Sequence, residues 1–327
     1  MNLVTNLAVA TVVIASGGIA YADPLPSWHD TDARERIIAF VDVVTDPASE
    51  DYVTPSDRIA VFDNDGTLWG EQPVYFQLIY AVDEVKEMAK ADPSILTSEA
   101  LKAAADGDFA ALAEGGEKAI LEVISTTHSG LSVEEFQVSV AEWLDTAKHP
   151  TTGLGYDQMT YQPMVELLSY LRDKGFKTYI VSGGGVHFMR VFAERAYGIP
   201  SEQVLGTYSE TSYKLIDGQP TITKEPGIAF LDDKEGKPIN IDRIIGKRPL
   251  IAGGNSDGDY AMIEWTTAGD GPRLGLIVHH TDEEREVAYD CDSHIGRLCD
   301  GLENGPDMGW LIVDMANDWS VIYTGDR

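Results

Sequence analysis

Apolar positions along the chain recur with two different periods, and the switches between them mark out helices and strands in turn. Ile37, Phe40, Val41 and Val44 fall at i, i+3, i+4 and i+7, which predicts an amphipathic helix. The unbroken run from Ile59 to Phe62 predicts a short buried strand, and Asp63-Asn-Asp-Gly-Thr67 follows it at once. Pro163 suits a first helical turn; Met164, Leu167, Leu168 and Leu171 share one helical face, and Gly175 stops it. Thr178 to Val181 predicts the next strand, which runs into Ser182-Gly-Gly-Gly185. Met189, Phe192 and Ala196 then predict a helix that ends at Gly198. Pro249 to Ala252 and Leu274 to Val278 predict two more strands, leading into Gly253–Asp259 and into His279-His280. Between them, Tyr213 to Ile216, Asp217-Gly218 and Thr221 to Thr223 predict a hairpin.

Strands that alternate with helices predict an α/β fold with an open parallel sheet, and such sheets bind ligands in the crevice at the carboxyl ends of their strands. Four strands here end in polar or glycine-rich loops, which should therefore gather at one edge. Residues 72–160 break the rhythm. They lack strand alternation and read as helices, with Ser132-Val-Glu-Glu135 fitting a capping box. Placed directly after the first strand loop, this stretch is expected to lie over the crevice as a cap, with the α/β core built from 23–71 and 161–327.

Residues 1–22 read as an export signal rather than as part of the fold. The segment has no charged side chain, an apolar stretch from Leu7 to Ile14, and a small-x-small ending at Ala20-Tyr21-Ala22. The apolar run is too short to span a bilayer, and no later segment is long enough to do so. A periplasmic or secreted chain without an integral membrane segment is the expectation. In an oxidising compartment Cys291 and Cys299 are candidates for a disulfide. One helix between them would hold them ~12 Å apart, so a bridge needs a bend near Gly296.

Across 327 residues, 24 Lys+Arg against 54 Asp+Glu give a formal net charge of −30. That balance argues against nucleic acid and against an anionic membrane surface as partners, both of which need clustered cations. A site that takes an anion must supply its own local positive charge.

The chemistry concentrates in three loops. Asp63 and Asp65 leave a buried strand two residues apart, so one can attack as a nucleophile while the other donates and later accepts a proton. Gly66 permits the sharp turn, and Thr67 offers a hydroxyl and an amide to an anion. A calcium loop counted from Asp63 would need a bidentate Glu where Val74 stands. Ser182, Gly183 and Gly184 lie between a strand and a helix, where free amides suit a phosphate. Gly254-Asn255-Ser256-Asp257-Gly258-Asp259 is rich in oxygen donors that suit a hard divalent cation.

In these residues and their order the chain resembles the haloacid dehalogenase superfamily, specifically its phosphohydrolase branch, and its helical insertion resembles the phosphoserine phosphatase-like group. The matching positions are Asp63-Asn-Asp-Gly-Thr-Leu68, Ser182 at the end of a strand, a lysine, and the acidic loop after Ala252. The resemblance implies a Rossmann-like core, Mg²⁺, a small phosphorylated substrate, Asp63 as phosphoryl-accepting nucleophile and Asp65 as general acid and base. It implies a lysine that balances charge: Lys237, before Pro238 and a helix, is the first choice and Lys224 the second. The metal donors would be Asp63, Asp65, and Asn255 or Asp257, with Asp259 ordering the loop. Asn255 departs from the acidic residue usual there, which makes metal affinity the open quantity. Phosphonate or other C–X hydrolysis on the same core, and non-catalytic binding of metal or phosphate esters, are the competing functions.

Overall fold

The computed structural model describes residues 23–326, so the expected export signal at 1–22 lies outside the described residues. Seven strands form one sheet: β1 (Ile59–Phe62), β2 (Lys177–Gly185), β3 (Val204–Ile216), β4 (Gln219–Phe230), β5 (Ile251–Gly254), β6 (Leu274–His279) and β7 (Leu311–Asp314). Their spatial order is β4-β3-β2-β1-β5-β6-β7. All neighbours run parallel except β4, which pairs antiparallel with β3. Parallel pairing puts the carboxyl ends of β1, β2, β5 and β6 at one edge, where the four loops meet.

Strand β1 shows why this sheet is sandwiched. All four of its residues are buried, and they alternate between two apolar layers. Ala60 and Phe62 join the core that holds Ile37, Val41, Leu168 and Leu171, while Ile59 and Val61 join the one that holds Ile241, Met262 and Ile263. A period-2 strand buried on both faces reads as a continuous apolar run. Gly253 in β5 packs so closely that a Cβ there would stand 2.6 Å from Phe62 Cδ1. The small residues of β5 are what let the two central strands carry a phenylalanine between them.

The first helix spans Asp32–Thr45 and buries Ile37, Val41 and Val44. The helix with proline in its first turn spans Gln162–Asp173, and Gly175 follows with φ +80°. Two expectations need correction. Met189, Phe192 and Ala196 do not share one helix; the chain forms two short ones, Val186–Met189 and Ala193–Tyr197. The break between them turns Phe192 inward, where its ring stacks on Trp69 at 4.3 Å. The hairpin is also far longer than its apolar pattern implies. Strand β3 begins as a core strand beside β2 and continues outward past the sheet, where both faces meet solvent and alternation has no layer to follow. Asp217 and Gly218, with φ +51° and +80°, close the turn.

Between β1 and the helix Gln162–Asp173 stand five α-helices: Phe76–Ala91, Glu99–Asp106, Phe109–Glu114, Gly116–His128 and Val133–Thr146. The last begins with the full capping box of Ser132 and Glu135. Leu78, Val82, Val85, Leu101, Leu112 and Val123 form a separate apolar core of the insertion, whereas Phe76, Tyr80 and Phe136 face the main one. The insertion is tied to the hairpin by backbone hydrogen bonds from Lys224 N to Leu131 O (2.9 Å) and from Gly130 N to Lys224 O (2.8 Å). Among the described residues no helix is long and apolar enough to cross a membrane.

Candidate active site

The loop after β1 is a tight turn held by its own backbone. Asn64 O accepts from Leu68 N at 2.8 Å, and Gly66 N donates to Trp69 O at 2.8 Å. Gly66 has φ +71°, and a Cβ on it would stand 2.1 Å from Asn255 Nδ2, so both conformation and space demand glycine. The turn presents Asp63 and Asp65 to a cleft of about 280 Å³ that Ser182, Gly183, Gly184, Lys237 and Ser256 also line.

Lys237, 2 % exposed, sits between two carboxylates: its Nζ is 2.9 Å from Asp63 Oδ1 and 2.5 Å from Asp259 Oδ1. Burial alone would lower its pKa, but Asp259 and then Asp63 outweigh that and hold it protonated above the usual lysine range. Asp63 is pushed up to about 7 by burial and by Asp259, with Lys237 pulling the other way. Its Oδ1 makes an ion pair with Lys237 but has no hydrogen-bond donor aligned on it. Burial also raises the pKa of Asp65, against the opposing hydrogen bond from Trp69 Nε1 (2.9 Å). Asp259 does not face the cleft as a free acid. Its Oδ2 accepts from the amides of Asn255 (3.0 Å) and Ser256 (3.1 Å), which folds the last loop around it. A Cβ on Gly254 would stand 2.3 Å from Asp259 Cβ, so the loop closes only over glycine.

Thr67 and Asn255 meet, with Thr67 Oγ1 donating to Asn255 Oδ1 at 3.0 Å. The neutral residue at 255 has a local cause. Asn255 Nδ2 donates to Glu71 Oε1 at 2.8 Å, and Tyr289 Oη donates to the same oxygen at 2.5 Å. Burial pushes Glu71 up to about 8. An aspartate at 255 would have no amide to donate to Glu71 Oε1.

The structure brings Asp63, Asp65, Thr67, Ser182, Gly183, Gly184, Lys237 and Asn255 to one edge. Asp257 is turned elsewhere: its carboxylate accepts from the amides of Cys299 (3.0 Å) and Gly301 (3.1 Å) and is not aimed at the cleft. Lys224 is also not in this cleft. Its Nζ lies 3.2 Å from His187 Nδ1 in a neighbouring pocket. Ser182 Oγ accepts from Gly184 N at 3.1 Å, and Gln77 Oε1 takes the Gly185 amide at 2.7 Å. Of the two adjacent histidines, His280 points inward, its Nε2 2.7 Å from Gly66 O. Tyr75 lines the cleft, whereas Phe76 and Tyr80 are core. Cys291 and Cys299 form a disulfide, Cα–Cα 4.7 Å, around a bend where Gly296 has φ +61°. Glu71, Gln77 and Asp233 line the cleft without having been legible as site residues, because each is single and unremarked by any motif.

A family model for haloacid dehalogenase-like hydrolases matches residues 60–264, from β1 into the helix Tyr260–Thr267 that follows β5. The chain belongs to the haloacid dehalogenase-like hydrolase family. No curated protein matches the sequence significantly. A protein of unknown function from Anaerococcus prevotii is similar in structure at TM-score 0.51 and 17% identity, over 76% of this chain and 85% of that one. Another, from Bordetella pertussis, is similar at TM-score 0.49 and 17% identity, over 79% and 99%. A phosphoserine phosphohydrolase-like protein from Francisella tularensis is similar at TM-score 0.36 and 19% identity, over 70% and 91%. The first of these likenesses shows the fold alone. The haloacid dehalogenase-like assignment rests on the family match and the α/β core.

A divalent cation fits the donors at the head of this cleft. The Asp63 carboxylate, whose Oδ1 lies 2.9 Å from Lys237 Nζ, the Asp65 main-chain carbonyl and the Asn255 carboxamide oxygen, which also accepts from Thr67 Oγ1, are all hard oxygens. Only one of these three donors is a carboxylate, and among the described residues no group of three His, Cys, Asp or Glu that could hold a metal is found. Asp257, committed to backbone amides, does not fit such a set.

Proposed function

We propose that this chain is an exported, Mg²⁺-dependent phosphomonoesterase that works through an aspartyl-phosphate on Asp63. The observation that carries the reading is the buried lysine held between Asp63 and Asp259 beside a further acid of the same turn as Asp63, Asp65. That arrangement supports a nucleophile, a charge balance and a proton carrier in one small cleft. The disulfide supports export, since such bridges persist in oxidising compartments.

When bound by Asp63, the Asp65 carbonyl and Asn255, Mg²⁺ would supply positive charge against the repulsion between phosphate and carboxylate. Asp63 attacks the phosphorus in line, and the bond from phosphorus to the ester oxygen breaks. Asp65, whose burial favours the protonated form, gives its proton to the departing alkoxide. It then takes a proton from water, whose oxygen attacks the aspartyl-phosphate, releasing phosphate and restoring Asp63. Ser182 and the amides of Gly183 and Gly184 hold the equatorial oxygens, and Lys237 balances their charge. The helical insertion limits the access of water to the first step.

Phosphate release from p-nitrophenyl phosphate by the purified chain, with Mg²⁺ and with EDTA, tests this. Metal-dependent release is expected. Binding of phosphate esters without turnover in either condition would instead support a non-catalytic binder.

A further inference from the structure

Beside the catalytic cleft lies a larger cavity of about 750 Å³, and the two share Gln77, Ile124, Gly183 and Leu231 in their walls. Its other walls come from four elements: the helix Gly116–His128, Phe136 of the helix Val133–Thr146, the start of the helix at Val186, and the hairpin of β3 and β4. Most of the lining is apolar, with Ile124, Phe136, Phe188 and Ile228 among it.

Into this apolar wall the hairpin inserts a lysine. Lys224 is 2 % exposed, and its ammonium lies 4.7 Å over the Phe136 ring. It donates to His187 Nδ1 and to Ser209 Oγ, each at 3.2 Å. No carboxylate of the described residues comes within 4.0 Å of it. Glu225, next in sequence, also lines the cavity, but its Oε1 accepts from Lys214 and Ser212 and it forms no ion pair with Lys224. Glu122 and Lys118 line the same cavity from the helical side without pairing with Lys224. Neither nearby imidazole adds a second cation: burial, and then the charge of Lys224, hold His187 and His128 low, at about 4 and about 3, so both stay neutral. Withdrawing an ammonium from water without a counter-charge is costly, and burial lowers Lys224 to about 8. This contrasts with Lys237, whose charge is answered twice.

We propose that this cavity is the leaving-group subsite and that Lys224 pairs with an oxyanion on it, so that the substrate is a phosphomonoester whose alcohol carries a carboxylate on an apolar body. The inference rests on the phosphatase reading for its substrate but not for its ligand. A cationic leaving group, such as choline, would face an ammonium in a water-poor pocket and is disfavoured.

The test compares 4-carboxyphenyl phosphate, p-nitrophenyl phosphate and phosphocholine as substrates for the wild type and for Lys224→Met. The wild type should turn over phosphocholine worst. The variant should lose about ten- to a hundredfold more kcat/KM on the carboxylated ester than on p-nitrophenyl phosphate, mostly through KM, as expected for one charged hydrogen bond. Calorimetry with free 4-hydroxybenzoate reads the subsite without turnover: binding by the wild type should weaken by a similar factor in the variant. If no ester is hydrolysed but 4-hydroxybenzoate still binds through Lys224, the phosphatase reading fails and the subsite stands. Equal losses on both aryl esters, or 4-hydroxybenzoate binding that ignores the substitution, overturns the subsite. Lys224→Gln carries the same readings if Lys224→Met does not fold.

Discussion

Two buried lysines, Lys237 and Lys224, are each 2 % exposed and stand in adjoining cavities, yet their surroundings are opposite. Lys237 has a carboxylate on either side and is held charged. Lys224 has a histidine nitrogen, a serine hydroxyl and an aromatic face, none of which neutralises it. The difference teaches how labour is divided at this sheet edge. Groups that must keep a fixed charge through a reaction are balanced within the fold, while a group that waits for a ligand is left unbalanced by it.

The largest effect expected is on chemistry. Asp63→Asn removes the nucleophile and should lower phosphate release by at least about three orders of magnitude, with an unchanged circular-dichroism spectrum. Next comes stability. Lys237→Met strands the Asp63 and Asp259 carboxylates and should cost about 3–5 kcal/mol in urea unfolding, because one partner of a buried pair is removed. Lys224→Met trades an unanswered charge for a methyl thioether and should stay within about 1 kcal/mol of wild type, the loss of two hydrogen bonds being offset by relief of desolvation. Equal costs for the two lysines would break the comparison.

Cys291→Ser probes the support under the cleft side alone. The bridge closes a short loop whose Cys299 amide holds Asp257, and its loss should cost about 2–3 kcal/mol, read in the same unfolding assay. A pH dependence is also expected. Asp232 is pushed from 3.8 up to about 7 by burial, its Oδ2 accepting from Asn240 and its Oδ1 unpartnered. A carboxyl with a raised folded pKa contributes stability that is full below its unfolded value and lost as pH rises through the folded one. Wild type should therefore lose stability between pH 3.8 and about 7 relative to Asp232→Asn, measured as the pH profile of the melting temperature.

What could be read from the sequence follows from how local each feature is. Asp63, Asp65 and Thr67 lie within one turn, and Ser182 to Gly184 within another, so each is recognisable where it stands. Lys237 needed a choice among several lysines, because only the fold says which one reaches two acids. The partner of Asp257 lay more than forty residues away in the disulfide loop, so its oxygens looked available for a cation when they were not. Glu71 and His128 had no legible role, and Lys224 could be read only as a second candidate for the charge-balancing lysine, for the same reason: their pockets are assembled from segments that only the sheet, the insertion and the hairpin bring together. The hairpin itself was underestimated, since a strand exposed on both faces carries no alternation to count.

The account turns on Asp63 becoming phosphorylated. Rapid acid quench of the enzyme with substrate, followed by mass spectrometry of the peptide that contains Asp63, tests this directly. The account predicts added phosphoryl mass on Asp63 in the wild type and none in Asp63→Asn. Steady-state turnover with phosphate never found on that peptide, or a label that persists in the variant, would contradict it.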